Sequence, residues 1–295
     1  MEIVRAKHHA GFCGGVKRAW RLATSEAETA TDPVYISGKL IHNTPAMKEL
    51  EEKGIHVLEL SNAEGVQAGT TFILRAHGEG PAVYARAREL GLRLIDGTCP
   101  TVRAVQRLAR SLEEQGFQVV LFGHREHPEA KATIAHTQRG LIIQSAEEAA
   151  QLGRYAKIAS IAQTTSSSRE YAEVCRILKD KCDEFQDHGH ICNFTQKAQE
   201  EAAELASRVD TMVVVGGRDS SNTRRLVEVC AERCATYQVE TAEELQPDWF
   251  QGVARVGVAA GASTRDGDIE AVISRLGDLG AGAGAGGQGS GAGER

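Results

Sequence analysis

Three cysteines of this chain are spaced at nearly equal intervals and share one local context. Cys13, Cys99 and Cys192 are separated by 86 and 93 residues (13 to 99, 99 to 192), and each stands between a short extended segment and a helix-like run. A thiolate at a helix start is stabilised by the helix dipole and by unpaired backbone N–H groups. Three such thiolates fit an iron-sulfur cluster, and a four-iron cluster with three cysteine ligands leaves one iron open to a substrate.

Any one of these cysteines, taken alone, is more typical of a small buried hydrophobic side chain than of a metal ligand. The equal spacing and shared local context of all three cysteines favour the iron-sulfur cluster. The chain contains seven cysteines, and the other four are Cys175, Cys182, Cys230 and Cys234. We expect these four to be buried within helical patterns, although the i, i+4 spacing of Cys230 and Cys234 leaves a second metal site as an alternative. The absence of a CxxC pair argues against a zinc ribbon.

The stretch "GHREHPEAKAT" contains a candidate general acid. Glu129 follows His127 by two residues, and Pro128 between them restricts the backbone. A carboxyl group in a pocket with little water has a raised pKa and can deliver a proton, while a neighbouring imidazole binds anions. The alternative is an ordinary solvated loop.

Further polar residues follow predicted strands and precede predicted helices, which is where phosphate-binding groups are commonly placed. His42 in "IHNTP" and His77 in "RAHGEGP" are of this kind, and core or capping roles are the alternative. The stretches "DSSNTRRL" and "AGAST" add hydroxyl and amide groups, which are also ordinary helix caps, at Ser220, Ser221, Asn222 and Ser263. Neither a Walker lysine motif nor GxGxxG in a βαβ setting occurs, so nucleotide binding has little support.

The elements that carry these residues alternate between short β-branched runs and longer helical patterns, which predicts an α/β fold with mainly parallel sheets. Each of the three cysteines is followed by two strands that end in polar loops, and the second loop lies 64 to 71 residues beyond the cysteine. We therefore expect three similar αβ domains. Arranged in a ring, they would direct the loops toward a common centre. The predicted boundaries are 1–97, 98–190 and 191–279, followed by a disordered glycine-rich tail over 280–295.

Charge and hydropathy patterning exclude several classes of partner. The chain of 295 residues has 34 basic and 40 acidic side chains and a net charge of −6, which gives no general basis for nucleic-acid binding. Its N-terminus has no apolar signal segment, and no apolar run approaches the length that spans a bilayer. We therefore expect a cytoplasmic protein with no membrane partner.

In combination, these motifs resemble the 4-hydroxy-3-methylbut-2-enyl diphosphate reductase family, the LytB-type iron-sulfur enzymes. The resemblance rests on eight segments in the family's order: "GFCGGV", "HNTP", "RAHG", "GTCPTV", "HPE", "QTTS", "SSN" and "AGAST". It implies three small αβ domains in a pseudo-threefold arrangement around one central 4Fe-4S cluster per chain. The implied cluster ligands are Cys13, Cys99 and Cys192.

The resemblance also implies a reaction. The family reductively removes the hydroxyl group of its substrate to give isopentenyl and dimethylallyl diphosphate, in the last step of the methylerythritol phosphate pathway. Glu129 would be the proton donor and Thr164 would hold the substrate hydroxyl. Ferredoxin or flavodoxin would supply the electrons. The diphosphate would be bound by His42, His77, His127, Ser220, Ser221, Asn222 and Ser263.

The chain departs from the family pattern mainly around the third cysteine, in "HICNFTQKAQ", at His190, Phe194 and Ala198. Two alternatives therefore remain open at this point. One is a cluster-dependent reductase or dehydratase of the same fold that acts on another small anionic substrate. The other, from a different class, is an iron-sulfur redox sensor without catalytic activity.

Overall fold

The fold is α/β, as predicted, with the described strands paired in parallel in three four-stranded sheets. A computed structural model describes residues 1–189 and 191–285. By contacts the chain divides into two compact units. We call residues 13–196 the central unit and residues 1–12 together with the chain from 197 onward the split unit.

The central unit contains two of the sheets. The first has the strand order β3-β2-β4-β5, and the second has the order β7-β6-β8-β9. The strands are β2 (Val34–Ile36), β3 (Ile55–Val57), β4 (Thr71–Leu74), β5 (Arg93–Asp96), β6 (Gln118–Phe122), β7 (Leu141–Ile143), β8 (Tyr155–Ala162) and β9 (Cys182–His188). The helices are α1 (Gly14–Thr29), α2 (Thr44–Glu52), α3 (Pro81–Glu89), α4 (Pro100–Glu114), α5 (Pro128–Ile134), α6 (Ala146–Gln151) and α7 (Ser168–Lys179).

The split unit contains the third sheet, in the order β1-β12-β10-β11. Its strands are β1 (Glu2–Arg5), β10 (Thr211–Val215), β11 (Ala235–Val239) and β12 (Arg255–Ala260). Its helices are α8 (Asn193–Ala206), which begins in the central unit, α9 (Ser221–Ala231) and α10 (Asp266–Ala285). Among the described residues, no helix combines the length and the apolar character needed to cross a bilayer.

The inner strands read as continuous apolar runs because helices cover both faces of a parallel sheet. Every residue of β4 and of β10 is buried. In the split unit, Val213 and Val258 from neighbouring strands pack against Ile269 and Val272 of α10. These cores hold the carboxyl ends of the strands in fixed positions, and the candidate site residues follow those ends.

The three sheets share one strand order when the third is read from β11 to β1, and the last strand in that order leads to a cysteine in each sheet. β5 precedes Cys99, β9 precedes Cys192 and β1 precedes Cys13. The sequence interpretation grouped the N-terminal strand with residues 1–97, but β1 pairs with β12, in register from Glu2 opposite Arg255. Parallel pairing needs only an open sheet edge and a matching apolar face, and neither is visible in the local sequence of β1. The division into three domains otherwise stays a prediction.

The predicted tail differs from the structure at its start. Helix α10 continues to Ala285, so residues 280–285 are helical rather than disordered. The helix is anchored by the buried side chains of Ile269, Val272 and Leu276, and extending an anchored helix costs far less than starting one. The rest of the predicted tail, 286–295, lies outside the described residues, as does His190.

Two cysteines that the sequence placed in helical patterns lie elsewhere. Helix α7 ends at Lys179 and Cys182 begins β9, while Cys234 directly precedes β11, beyond the end of α9. Pairing with a neighbouring strand has overridden the local pattern. The Cys234 N–H still donates to the Cys230 carbonyl at 3.2 Å, so the two residues stay one turn apart, and the second metal site stays an untested alternative.

Candidate active site

The three cysteines lie at helix starts within the central unit. Cys13 is the N-cap of α1, and its Sγ accepts a hydrogen bond from the Val16 N–H at 3.5 Å. Cys99 is the N-cap of α4, and Cys192 directly precedes α8. All three are free thiols and are partly buried. The predicted placement of these thiols at helix starts is thus present in the structure.

Gly15 brings two of these sulfur atoms close to one point. A Cβ atom on Gly15 would stand 2.6 Å from Sγ of Cys99 and 3.9 Å from Sγ of Cys13. The first distance is a clash, so only glycine fits this position without displacing Cys99. The missing side chain leaves space beside the thiols.

Arg18, one turn into α1, ties that helix to the loop that carries Cys99. Its guanidinium donates to the carbonyl oxygens of Asp96 at 3.1 Å and Thr98 at 3.3 Å. Two neutral carbonyls that accept from one cation form charge-assisted hydrogen bonds, which are among the stronger polar contacts in proteins. Arg18 therefore helps to fix Cys13 and Cys99 relative to each other.

The electrostatic surroundings of the thiols fit a bound cationic group. Burial raises the pKa of Cys13, the Val16 N–H counteracts it, and the neighbouring Cys99 and Cys192 raise it further. Three adjacent thiolates repel one another unless a cation is present. Soft sulfur donors around a space that a Cβ would fill are the donor set of an iron-sulfur cluster, so the residues fit that group.

Glu129 is buried and bound on both carboxylate oxygens by a single residue. The Thr164 N–H donates to Oε1 of Glu129 at 2.6 Å, and the Thr164 hydroxyl donates to Oε2 at 2.8 Å. The Cys192 N–H donates to the carbonyl of Thr164 at 2.9 Å. Hydrogen bonds therefore connect Glu129 to Thr164, and Thr164 to Cys192.

Burial determines the protonation of this acid. Desolvation raises the pKa of Glu129, and the two donors on Thr164 lower it by less than burial raises it. A carboxyl group in this environment keeps its proton to a higher pH than one in water. It can therefore act as a proton donor to a group bound beside it.

Three histidine rings gather next to this acid. The ring centroids of His42, His77 and His127 lie 4.6 Å (42 to 77), 5.3 Å (77 to 127) and 5.4 Å (42 to 127) apart. His42 and His77 follow the paired strands β2 and β4, and His127 is the N-cap of α5. The sequence placed all three among the phosphate-binding residues, and the structure brings them together.

His77 is suited to donating a hydrogen bond rather than to carrying charge. Burial lowers the pKa of His77 well below its usual value, and the nearby His42, His127 and Arg75 lower it further. Nδ1 of His127 accepts the Glu129 N–H at 3.2 Å, so the hydrogen of the neutral ring is on Nε2. The nitrogen atoms also approach the spacing of a metal site, but an Nε2–H at His127 matches an anion instead.

The remaining predicted residues lie in the split unit, at the carboxyl edge of its sheet. Ser220, Asn222 and Ser263 are buried, while Ser221 is partly buried as the first residue of α9. Their loops follow β10 and β12, which pair up to Val215 opposite Ala260. The loop after β10 and the loop after β12 therefore start next to each other.

The split-unit loops contain a polar group typical of a binding site. Oγ of Ser220 caps α9 by accepting the Thr223 N–H at 3.2 Å, as the capping alternative predicted. Both amide atoms of Asn222 are buried without a hydrogen-bond partner among the described residues. An unsatisfied buried amide is unfavourable, and a bound anion or water would satisfy its N–H.

The sequence interpretation missed several residues that organise the site. Arg18 lies in helix α1 and belongs to none of the predicted motifs. Gln163 directly precedes Thr164, and its Oε1 accepts the His124 N–H at 2.9 Å and so joins two loops. Asp96 in "LIDGTC" accepts the Thr98 N–H at 2.9 Å. The Asp-Gly pair before Cys99 is a turn signal that could have identified it.

Comparison with known protein families finds one match over most of the chain. The model of the LytB protein family matches residues 3–277. A 4-hydroxy-3-methylbut-2-enyl diphosphate reductase from Caldanaerobacter subterraneus is 38% identical over 282 residues, covering 95% of this chain and 98% of the relative. The enzyme of the same name from Pelobacter propionicus is 41% identical over 281 residues, covering 95% and 99%.

Solved structures give the same result. A structure of (E)-4-hydroxy-3-methyl-but-2-enyl diphosphate reductase, described as the terminal enzyme of the non-mevalonate pathway, matches with a TM-score of 0.70 and 38% identity, covering 94% of this chain and 100% of that one. A structure of E-1-hydroxy-2-methyl-but-2-enyl-4-diphosphate reductase from Plasmodium falciparum matches with a TM-score of 0.88 and 25% identity, covering 93% and 87%.

Proposed function

Since the chain belongs to the LytB protein family, we propose that it reduces 4-hydroxy-3-methylbut-2-enyl diphosphate to isopentenyl and dimethylallyl diphosphate. The reaction consumes two electrons and two protons and releases the substrate hydroxyl group as water. The observation that carries the proposal is the link from Glu129 through Thr164 to Cys192. It supports the proposal because a buried acid with a raised pKa is linked through Thr164 to one of the three cysteines.

Cys13, Cys99 and Cys192 hold one 4Fe-4S cluster per chain. When bound, the cluster supplies the electrons and one iron without a cysteine ligand. The support is the position of all three thiols at helix starts and the absence of a side chain at Gly15. The electrons come from a ferredoxin or a flavodoxin.

His42, His77 and His127 bind the diphosphate through ring N–H groups. The support is the packing of the three rings and the tautomer of His127, which presents a donor. Neutral donors bind an anion without the desolvation cost of burying their own charge. The resemblance also assigns diphosphate binding to residues of the split unit, supported by the unsatisfied amide of Asn222: Ser220, Ser221, Asn222 and Ser263.

Glu129 delivers a proton to the departing hydroxyl group. Burial keeps this acid protonated to a higher pH, and Thr164 fixes its orientation through two hydrogen bonds. Thr164 holds the substrate hydroxyl near the acid. In this arrangement the leaving oxygen departs as neutral water rather than as hydroxide, which lowers the barrier.

The test is an assay of the anaerobically reconstituted chain. We expect about four iron and four sulfide per chain, and consumption of the hydroxylated diphosphate with a reduced dye as electron source. A full complement of iron and sulfide without turnover of this substrate would contradict the reaction. A chain that binds no iron under these conditions would contradict the role given to the cysteines.

A further inference from the structure

The loop before Cys99 is held by a tyrosine and an aspartate. Asp96, the last residue of β5, accepts the Thr98 N–H on Oδ1 at 2.9 Å and the hydroxyl of Tyr84 on Oδ2 at 3.2 Å. Tyr84 belongs to α3, the helix that precedes β5. The carboxylate thus joins the end of the strand, the backbone next to the cysteine and a neighbouring helix, and Arg103 of α4 pairs with the same Oδ2 at 2.6 Å.

The loop before Cys192 is held in the same way. Asp187, near the end of β9, accepts on Oδ1 both the Gly189 N–H at 3.0 Å and the hydroxyl of Tyr171 at 2.7 Å. Tyr171 belongs to α7, the helix that precedes β9, and its hydroxyl is also 3.1 Å from the Ser160 carbonyl. Gly189 packs closely, because a Cβ there would stand 2.2 Å from Cε1 of Tyr171.

The two arrangements occupy equivalent places in the two sheets. β5 and β9 are both the fourth strand of their sheet, and each leads directly to a cysteine. Tyr84 and Tyr171 are each the fourth residue of the preceding helix. In both loops the aspartate accepts an N–H two residues further along, which is an Asx turn.

We propose that Tyr84 and Tyr171 are positioning residues for Cys99 and Cys192. Through Asp96 and Asp187 they form two tyrosine-aspartate clamps that hold the cysteine loops in the geometry in which the thiols receive the cluster. The proposal rests on the proposed function for the cluster, but the clamps themselves are a property of the loops. Residues that do not touch a metal can still orient its ligands through hydrogen bonds. A helix side chain that fixes the backbone beside a cysteine acts in this way.

The segment before Cys13 is held by a different device. In the split unit, one oxygen of Glu201 accepts from the backbone N–H groups of Lys7 at 2.5 Å and His8 at 3.1 Å, and the other accepts from that of His9 at 3.0 Å. Tyrosine substitutions should therefore affect the second and third cysteines and leave the first unchanged. This contrast provides an internal control.

The experiment measures how fast each thiol reacts with iodoacetamide in the iron-free, full-length chain, read by peptide mass spectrometry. Tyr171→Phe should speed alkylation of Cys192 about tenfold, the effect of losing one hydrogen bond to a charged group. Tyr84→Phe should also speed alkylation of Cys99, but by less than about tenfold, because Arg103 still pairs with Asp96. In each variant the other two of the three proposed ligand thiols should react at the wild-type rate.

Tyr155→Phe is the matched control. Tyr155 packs against the same hydrophobic cluster as Tyr171, but its hydroxyl makes no hydrogen bond to the described residues. Asp187→Asn keeps an acceptor at Oδ1 and should react like the wild type, whereas Asp187→Ala should react like Tyr171→Phe. This rescue separates a clamp from a general loss of packing.

A second measurement uses the reconstituted chain. Tyr171→Phe and Asp187→Ala should release iron to a chelator about tenfold faster than the wild type and change the electron paramagnetic resonance spectrum of the reduced cluster. Tyr155→Phe and Asp187→Asn should change neither. Uniformly faster alkylation of all three thiols, or wild-type rates in Tyr171→Phe, would overturn the clamps whether or not the chain turns over its substrate.

Discussion

Glu129 combines burial with two hydrogen bonds from one partner, and this determines how it responds to substitution. Glu129→Gln keeps an acceptor for the Thr164 N–H but has no acidic proton. We expect turnover to fall by roughly 100- to 10,000-fold, the usual contribution of a positioned acid. Iron content should stay at the wild-type level. Wild-type turnover in this variant would remove Glu129 from the reaction.

The raised pKa of Glu129 also predicts how stability depends on pH. The folded chain holds this proton at a pH at which the unfolded chain has lost it, so the stabilisation is present below the ordinary carboxyl pKa of 4.5. It is lost as the pH rises through the folded pKa. Urea unfolding between pH values of about 4 and 7 should show the wild type losing free energy of unfolding relative to Glu129→Gln. A constant difference between the two proteins would contradict the raised pKa.

Single residues were predictable where their chemistry is written in a short motif. The "HPE" motif predicted roles for His127 and Glu129, and equal spacing predicted a common role for the three cysteines; these roles stay predictions. The bonds from Thr164 to Glu129 could not be predicted, because they join residues 35 positions apart. Arg18 was missed for the same reason, since a helical arginine gives no sign that it will meet carbonyl groups of a distant loop.

At the scale of elements, the first turn of α1 is the most constrained. Gly15→Ala would place a methyl group 2.6 Å from Sγ of Cys99, whereas a Cβ on the adjacent Gly14 meets nothing within 4 Å. We expect Gly15→Ala to lose most of its iron on reconstitution and Gly14→Ala to keep it. The two substitutions have the same effect on helix propensity, so iron content per chain isolates the contact with the thiol. Equal iron content in both would contradict the close approach.

The order of elements was largely predictable, because buried parallel strands are continuous apolar runs. The strands β3 and β11 were not predicted. They are edge strands of their sheets, and "IHV" and "ATYQV" carry the mixed polarity of a half-exposed edge. Family membership, predicted from the ordered motifs, is confirmed over residues 3–277.

At the scale of the molecule, the split unit depends on contacts between distant parts of the chain. Ile3 of β1 packs against the core cluster formed by β10, β12 and α10. Ile3→Asp should lower the free energy of unfolding by about 2 kcal/mol or more, since it places a charge against this core. Val57→Asp, on the edge strand β3 at 51% exposure, should change it by less than about 0.5 kcal/mol. Urea unfolding gives both values, and equal losses would contradict the role of β1.

The threefold repeat was visible in the sequence, but the pairing of the first strand with the last sheet was not. The three-part spacing predicted similar units in chain order, whereas the structure completes the last sheet with the first strand. A four-residue segment with two apolar side chains carries too little information to select among the open edges of three sheets. Only the pairing with β12 settles where β1 belongs.

The pairing of β1 with β12 also sets an order of events during protein synthesis. Glu2 and its partner Arg255 are 253 residues apart, so at ordinary translation rates β1 waits roughly 13 to 50 seconds for its partner strand. During that time Ile3 and Val4 are available to chaperones. A chain whose translation stops before β12 keeps this strand unpaired, and an exposed strand edge promotes aggregation and proteolysis. This sheet can therefore form completely only after β12 has been synthesised. Whether β1 is paired then indicates whether translation has passed β12.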